Sequence, residues 1–447
     1  MKIIFLTLSL LLLPICSAFP ITLDDAIKTA VENSESGKIV KLSEESKKAE
    51  AAQTASSVKP QINAKTYYYH LYGNSSSSGG GSSSSSYGGG SDGYSYSYST
   101  TDTNTSSSSS SPDRYISLEL TASQLLFKGK KIWHTLDLEK TINHYAELTG
   151  KTGVRDIKKE VKNAFDKFFF QNATLDILTD RVKQRSEELE DAKLLKEVGM
   201  VTGLDVRQAN LNLNSALIEK NDGEATLRNA LIEFNRVIGE DMKGELLVPE
   251  GHLDRAANLM DTLEVLRKAH DKDTLIDIQV AKTSMEVNKL KHKLAKDDYY
   301  PEITFSARGR TSAEDFKNLD EDSYNIGIMM NWDILSGGSI KANKTKALAD
   351  LSLSQEELNK LRKQLSSTIE TLFTDAKSYR ERIKLQEETV ELARKNYEDA
   401  REHYRAGTIM ITDLGGYNLS YAEARFKLIQ FFYLERALLI ATQSLLE

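Results

Sequence analysis

The chain has 447 residues, with 58 Lys+Arg against 65 Asp+Glu and a single Cys, which excludes a disulfide scaffold and a zinc ribbon. A net charge of −7 supplies no basic footprint for neutralising phosphates, so no nucleic-acid partner is expected. Six Pro and a charged fraction of 28% favour long helices laced with surface ion pairs.

At the N-terminus, Lys2, the apolar run Ile3 to Leu13 and the small residues Cys16-Ser17-Ala18 predict a secretory signal peptide over residues 1–18. Cleavage after Ala18 would leave a chain without thiols. A lipoprotein signal at Cys16 competes with this reading, but Ile15 stands where such a signal wants a small residue. Beyond Ala18 no stretch approaches the ~20 apolar residues of a membrane-spanning helix. A membrane-spanning mature chain must therefore span as a barrel.

The remainder reads as two repeats, 19–250 and 251–447. Thr22-Leu23-Asp24-Asp25 matches Thr262-Leu263-Glu264-Val265 at an offset of 240, and Pro60-Gln61-Ile62 matches Pro301-Glu302-Ile303 at 241. Leu126-Phe127-Lys128-Gly129 then matches Ile334-Leu335-Ser336-Gly337 at 208, as Gly199 matches Gly407. The first half thus carries about 33 residues that the second lacks. They fall in Asn74 to Ser111, where 19 Ser and seven Gly among 38 residues leave nothing aliphatic to bury, so a loop is expected there.

In each half a helical stretch (Leu23 to Ser57, Thr262 to Lys296) precedes a proline and is expected to break near Ser36-Gly37 and Asp271-Lys272-Asp273. Strands follow. Ile303, Phe305 and Ala307 alternate with polar residues, as do Tyr324, Ile326, Ile328, Met330 and Trp332, and Ile116, Leu118 and Leu120; Pro60 to Tyr72 is less regular. This pattern suits a transmembrane barrel or a soluble sheet with one wet face. Next come helices from Lys130 to Val198 and from Ser339 to Arg405. The latter carries two interleaved heptad series: Leu358, Leu365, Leu372, Tyr379, Gln386, Ala393 and Ala400, then Ile369, Ala376, Ile383, Val390, Tyr397 and Tyr404. Helices of ~67 residues are on the order of 100 Å long. Return helices are expected over Leu204 to Ile238 and Thr412 to Leu446, after turns at Gly199 and Gly407. Four strands cannot close a transmembrane barrel, so several chains must share it.

These landmarks resemble the outer-membrane efflux protein (TolC) family. The carriers are Leu23-Asp24-Asp25-Ala26, Tyr300-Pro301-Glu302-Ile303, Trp332-Asp333-Ile334-Leu335-Ser336-Gly337-Gly338, and Tyr404-Arg405-Ala406-Gly407 running to Asp413-Leu414. The resemblance implies a mainly α fold with β: a homotrimer whose four-stranded contributions close a 12-stranded outer-membrane β-barrel in lipid, continued by a coiled-coil periplasmic tunnel. It also implies an exit duct for small molecules or proteins in tripartite efflux or type I secretion, with a periplasmic adaptor and an inner-membrane pump as partners. By the same resemblance, the helical turns Val198-Gly199-Met200 and Ala406-Gly407-Thr408 carry the adaptor contacts, and Asp413 lines the tip constriction. The family's second constriction Asp falls on Gly416, and its latching Arg on Ile409, whereas Asp205 keeps the acid that the Arg would meet. Gating is therefore expected to use other contacts, with Arg207 a candidate. Asp205 and Asp413 also suit helix capping, which leaves both roles open.

No catalytic constellation emerges. The seven His form no HExxH pair, Lys128-Gly129-Lys130 lacks the upstream Gly of a phosphate loop, and Asp320-Glu321-Asp322 lacks the Gly and Glu of a calcium loop. No cofactor, metal or enzyme activity is expected. The rival reading is a soluble periplasmic coiled-coil scaffold or pump adaptor, which would not need two alternating hairpins.

Overall fold

The computed structural model describes residues 20–70, 114–240, 246–253, 255–256, 258–271, 273–313 and 321–447. The expected signal peptide with Cys16, the Ser/Gly segment 74–111 and Asp320 lie outside the described residues. In chain order the elements are β1 (Pro20–Ile21), α1 (Leu23–Asn33), α2 (Glu35–Ser56), β2 (Gln61–His70), β3 (Arg114–Phe127), α3 (Lys131–Glu197) and α4 (Gly203–Ile238). Then follow β4 (Val248–Pro249), α5 (Leu259–Asp271), α6 (Ile276–Asp297), β5 (Glu302–Ala313), β6 (Glu321–Asn331), α7 (Ser339–Arg405) and α8 (Ile411–Leu446). Among the described residues no helix is long and apolar enough to cross a membrane.

The chain divides into two compact units, a helical one (Met1–Thr54, Leu136–Ala295, Lys341–Glu447) and one built on a sheet (Ala55–Thr135, Lys296–Ile340). Each draws on both halves of the sequence. In the helical unit, the heptad seam of α7 is buried at Leu358, Leu365, Ile369, Leu372, Ala376, Ile383, Tyr397, Ala400 and Tyr404. The polar seam member Gln386 is accommodated because its Nε2 donates to the Ala424 carbonyl of α8 at 2.9 Å. One core gathers Phe165, Phe168, Phe169 and Phe234 with Ala26 and Ala30 of α1, and the Phe165 and Phe169 rings meet edge to face at 4.9 Å. Another joins Leu259, Leu263 and Leu266 of α5 to Leu358, Leu365 and Leu372 of α7.

Two details differ from the sequence expectation. The break between α1 and α2, expected near Ser36-Gly37, falls at Ser34, two residues earlier. Ser34 ends α1 in an extended conformation, and its Oγ accepts the Gly37 N–H at 3.0 Å. A side chain at Gly37 would strike the Val31 carbonyl, so Gly37 serves the packing of the break and is not itself the breaking point. The second difference is a parallel pairing of β1 with β4, Pro20 opposite Val248 and Ile21 opposite Pro249. Two-residue strands carry no periodicity that a sequence could display.

The sheet unit is a four-stranded antiparallel sheet in the order β2-β3-β5-β6. Its register places Ile62, Ala64 and Tyr68 of β2, Ile116, Leu118, Leu120 and Ala122 of β3, Ile303, Phe305 and Ala307 of β5, and Tyr324, Ile326, Ile328 and Met330 of β6 on one face. A bulge between Leu125 and Phe127 brings Phe127 opposite Ile303 and so onto that face. The other face carries Asn63, Lys65, Ser117, Glu119, Thr121, Ser306, Arg308, Arg310, Ser323 and Asn325. Trp332, expected to continue β6, lies one residue beyond its end. The last pair is Glu302 with Asn331, Pro301 has no N–H to extend the ladder, and the Trp332 indole donates to the Tyr299 carbonyl at 3.3 Å.

Candidate pore constriction and docking turns

The expected functional residues lie in two helical turns of the helical unit. Both are built alike. After α3, the Gly199 N–H donates to the Lys196 carbonyl at 3.0 Å and the Met200 N–H to Leu195 at 2.9 Å. After α7, the Gly407 N–H donates to Tyr404 at 2.9 Å and the Thr408 N–H to His403 at 3.0 Å. Such a stop needs a left-handed residue, and Gly199 (φ 78°) and Gly407 (φ 73°) supply it. The turns touch: a Cβ on Gly407 would lie 2.9 Å from Met200 Cε. Val198, Met200, Leu204 and Met410 are apolar and exposed around them, and Ala406 and Thr408 are exposed as well.

The two return helices start with an acid at the third position. Asp205 closes a capping box: its Oδ2 accepts both the Thr202 N–H and the Thr202 hydroxyl at 2.8 Å, while its own N–H donates to Thr202 Oγ1. Asp413 accepts only the Met410 N–H, at 3.3 Å, and remains exposed. Gly416 is exposed with open space where a side chain would stand. Ile409 packs against the apolar cluster of Ala192, Ala209, Tyr397, Ala400, Tyr404, Ile411 and Leu414. The position to which the resemblance assigns a latching Arg thus holds a side chain that adds to this core.

Arg207 makes no ion pair among the described residues. The contacts between α3 and α7 come instead from residues that sequence reasoning passed over. Arg401 lies 2.6 Å from Glu187 and 3.3 Å from Asp191, and Arg405 grips Asp191 through Nε at 2.9 Å and Nη2 at 3.1 Å. The signal for them was matching i,i+4 spacing, acids at 187 and 191 and arginines at 401 and 405. Within a turn of these pairs on α3 lies a buried polar network. Arg185 meets Glu188 at 2.7 Å and donates to the Gly415 carbonyl at 3.1 Å, while Tyr397 Oη and Asn418 Nδ2 each donate to Glu188 Oε1 at 3.1 Å. Burial pushes the Glu188 carboxyl above the usual carboxylate range, with Arg185 pulling the other way. Burial, then Asp205 and Asp191, pushes the Tyr404 phenol up to about 12, and its hydroxyl has no hydrogen-bond partner among the described residues.

Residues 276–446 match the sequence model of the family described as Outer membrane efflux protein. The probable efflux pump outer membrane protein TtgC of Pseudomonas putida is 22% identical over 260 residues, 55% of this chain and 51% of that protein. The chain thus matches about half the length of such curated relatives. Among solved structures, the outer membrane protein VceC of Vibrio cholerae superposes with a TM-score of 0.71 at 16% identity, covering 94% of this chain and 96% of that one. The CmeC outer membrane channel of Campylobacter jejuni does so with 0.70 at 14% identity, covering 95% and 85%. The family match thus covers residues 276–446, and the fold shared with these solved channels runs along nearly the whole chain.

Proposed function

We propose that three copies of this chain form an outer-membrane exit duct of a tripartite efflux or type I secretion system, passing small molecules or proteins from the periplasm to the exterior. Their sheets close a 12-stranded barrel, the helices of the two repeats, 19–250 and 251–447, form the periplasmic tunnel, and an adaptor and an inner-membrane pump dock at the turns Val198-Gly199-Met200 and Ala406-Gly407-Thr408. The observation that carries this reading is the sheet. Its largely apolar face spans all four strands, yet Ile62, Leu120, Tyr324, Ile326, Ile328 and Met330 are all exposed, and among the described residues β2 and β6 leave open edges. Water penalises both features; lipid and closure by neighbouring copies remove both. Leu204, Leu211, Ile218 and Ile232 of α4 add an exposed stripe in seven-residue register, and Leu385 and Leu392 of α7 another, as expected of helices that pair between copies. The protein is accordingly expected to fractionate with outer membranes, require detergent and run as a trimer in light scattering. A detergent-independent monomer in the soluble extract would favour the scaffold reading.

Asp413 is the acid we assign to the constriction, since its single 3.3 Å capping bond leaves it more available than Asp205. Three copies around the axis would attract cations. Asp413→Asn should lower cation preference in planar bilayers with little change in trimer stability, because the Asn Oδ1 can still accept the Met410 N–H. Gly416→Asp, entering open space, should raise that preference and strengthen blockage by multivalent cations. Unmoved reversal potentials in both variants would leave Asp413 as a helix cap only.

A further inference from the structure

The chain has two tryptophans, Trp133 and Trp332, far apart in sequence, and the fold brings both to the end of the sheet unit at which α3 begins. The first turn of α3 docks on the segment between α6 and β5. The Lys130 N–H donates to Asp297 at 3.2 Å, His134 Nδ1 lies 2.6 Å from the same carboxylate, and Lys128 meets Glu302 at 3.0 Å. Trp332 reaches that segment from the other side of the sequence, through its indole bond to the Tyr299 carbonyl. Despite these anchors both indoles are exposed, Trp133 at 71% and Trp332 at 52%.

Their directions are set by neighbours. Lys131 lines a polar cavity of about 190 Å³ with Gln61, Ser123 and Thr304 of the polar sheet face. Trp133, two residues and about 200° further round the helix, is therefore turned away from that cavity. Trp332 keeps the step of Tyr324, Ile326, Ile328 and Met330 on the apolar face, so one strand carries an aromatic ring at each end and aliphatic side chains between. The eight positions from Tyr324 to Trp332 span roughly 27 Å along the strand. A barrel tilt of about 40° shortens this to about 20 Å along the membrane normal, on the order of the ~25 Å apolar band of such barrels. An indole is most stable where hydrocarbon meets headgroups, because its ring is apolar and its N–H is not. The Trp133 N–H has no acceptor among the described residues, which leaves it able to donate to a lipid phosphate or ester oxygen.

We propose that Trp133 and Trp332 form a seat for phospholipid headgroups of the inner leaflet, which fixes the depth at which the sheet sits in the membrane. The proposal rests on the duct reading above, in which the apolar face meets lipid and the end at which α3 begins faces the periplasm.

The test uses the full chain inserted in phosphatidylcholine vesicles whose acyl chains carry bromine near the headgroup or near the chain end. W133F leaves Trp332 as the sole reporter, and W332F leaves Trp133. Bromine near the headgroup is expected to quench each reporter at least about twofold more strongly than bromine near the chain end. Should either variant fail to insert, the wild-type protein, whose two indoles share one level, is read by the same ratio. Equal quenching at both depths, or stronger quenching from the chain end, overturns the seat. Insertion without quenching overturns it too, and acrylamide then separates indoles in the aqueous lumen, which it quenches, from indoles covered by a neighbouring copy, which it does not. These results leave the duct standing. A wild-type protein that does not float with the vesicles overturns the duct and the seat with it.

Discussion

Replacing Arg401 and Arg405 together by Ala is expected to raise the single-channel conductance several-fold. These two side chains, one helical turn apart on α7, meet Glu187 and Asp191, one turn apart on α3, and the Arg405–Asp191 contact is two-pronged. The pairs are partly exposed, with Arg405 at 51%, so they contribute little to overall stability. Their effect is local. They tie the last turns of α7 to α3 immediately before the Ala406-Gly407-Thr408 turn, beside the segment that we assign to the constriction. The underlying apolar cluster of Ala192, Tyr397, Ala400 and Tyr404 is untouched by the substitutions, so folding and assembly should persist. Exchanging all four charges, Glu187→Arg and Asp191→Arg with Arg401→Glu and Arg405→Asp, should keep conductance near the wild-type value. An intact double variant with unchanged conductance would show that the tip is held by something else.

Arg185→Ala is expected to cost about 3–5 kcal/mol, because it strands a carboxylate that is 1% exposed without its cation. Tyr397 and Asn418 would still donate to Glu188, but neither carries a charge. The loss should depend on pH. Since burial already raises the folded-state pKa of Glu188 above its unfolded value, the native state holds this proton more tightly, and stability declines as pH rises from the ordinary carboxylate range through the folded pKa. Removing Arg185 takes away the opposing influence and raises that pKa further, so the decline should be steeper and extend closer to neutrality. Adding Glu188→Gln should flatten the profile. Thermal melts of the detergent-solubilised protein between about pH 4 and 7 test this. An Arg185→Ala variant that melts like wild type across the range would refute the assigned role of the pair.

Much of the helical framework was legible in the sequence because its signals are long. A heptad seam maintained over most of α7 overrides local ambiguity, and two glycines at matching positions mark both turns. The sheet was legible through alternation, although which strands adjoin required the register. What stayed hidden depended on distance. Glu188 and Asn418 lie 230 positions apart, and in sequence Arg185 and Glu188 look like any i,i+3 surface pair; only packing against α7 and α8 buries them. Charges on a helix carry no mark of which face will lose its water. For the same reason nothing in the sequence beyond their spacing marked that α7 presents Arg401 and Arg405 to α3.

The central pairing of the sheet has a consequence for how the chain is made. β2 and β3 can zip together as soon as both have emerged, but β3 must then wait for β5, with Ile116 destined to lie opposite Ala313. At translation rates of roughly 5–20 residues per second, a separation of 197 positions imposes a delay on the order of ten seconds or more. Throughout that interval the first hairpin presents an apolar face and an unsatisfied strand edge, long enough for pairing with the wrong chain to compete with a closure of very high contact order. The nascent chain is thus expected to need a holding chaperone, and overproduction without one should yield aggregates nucleated at β3.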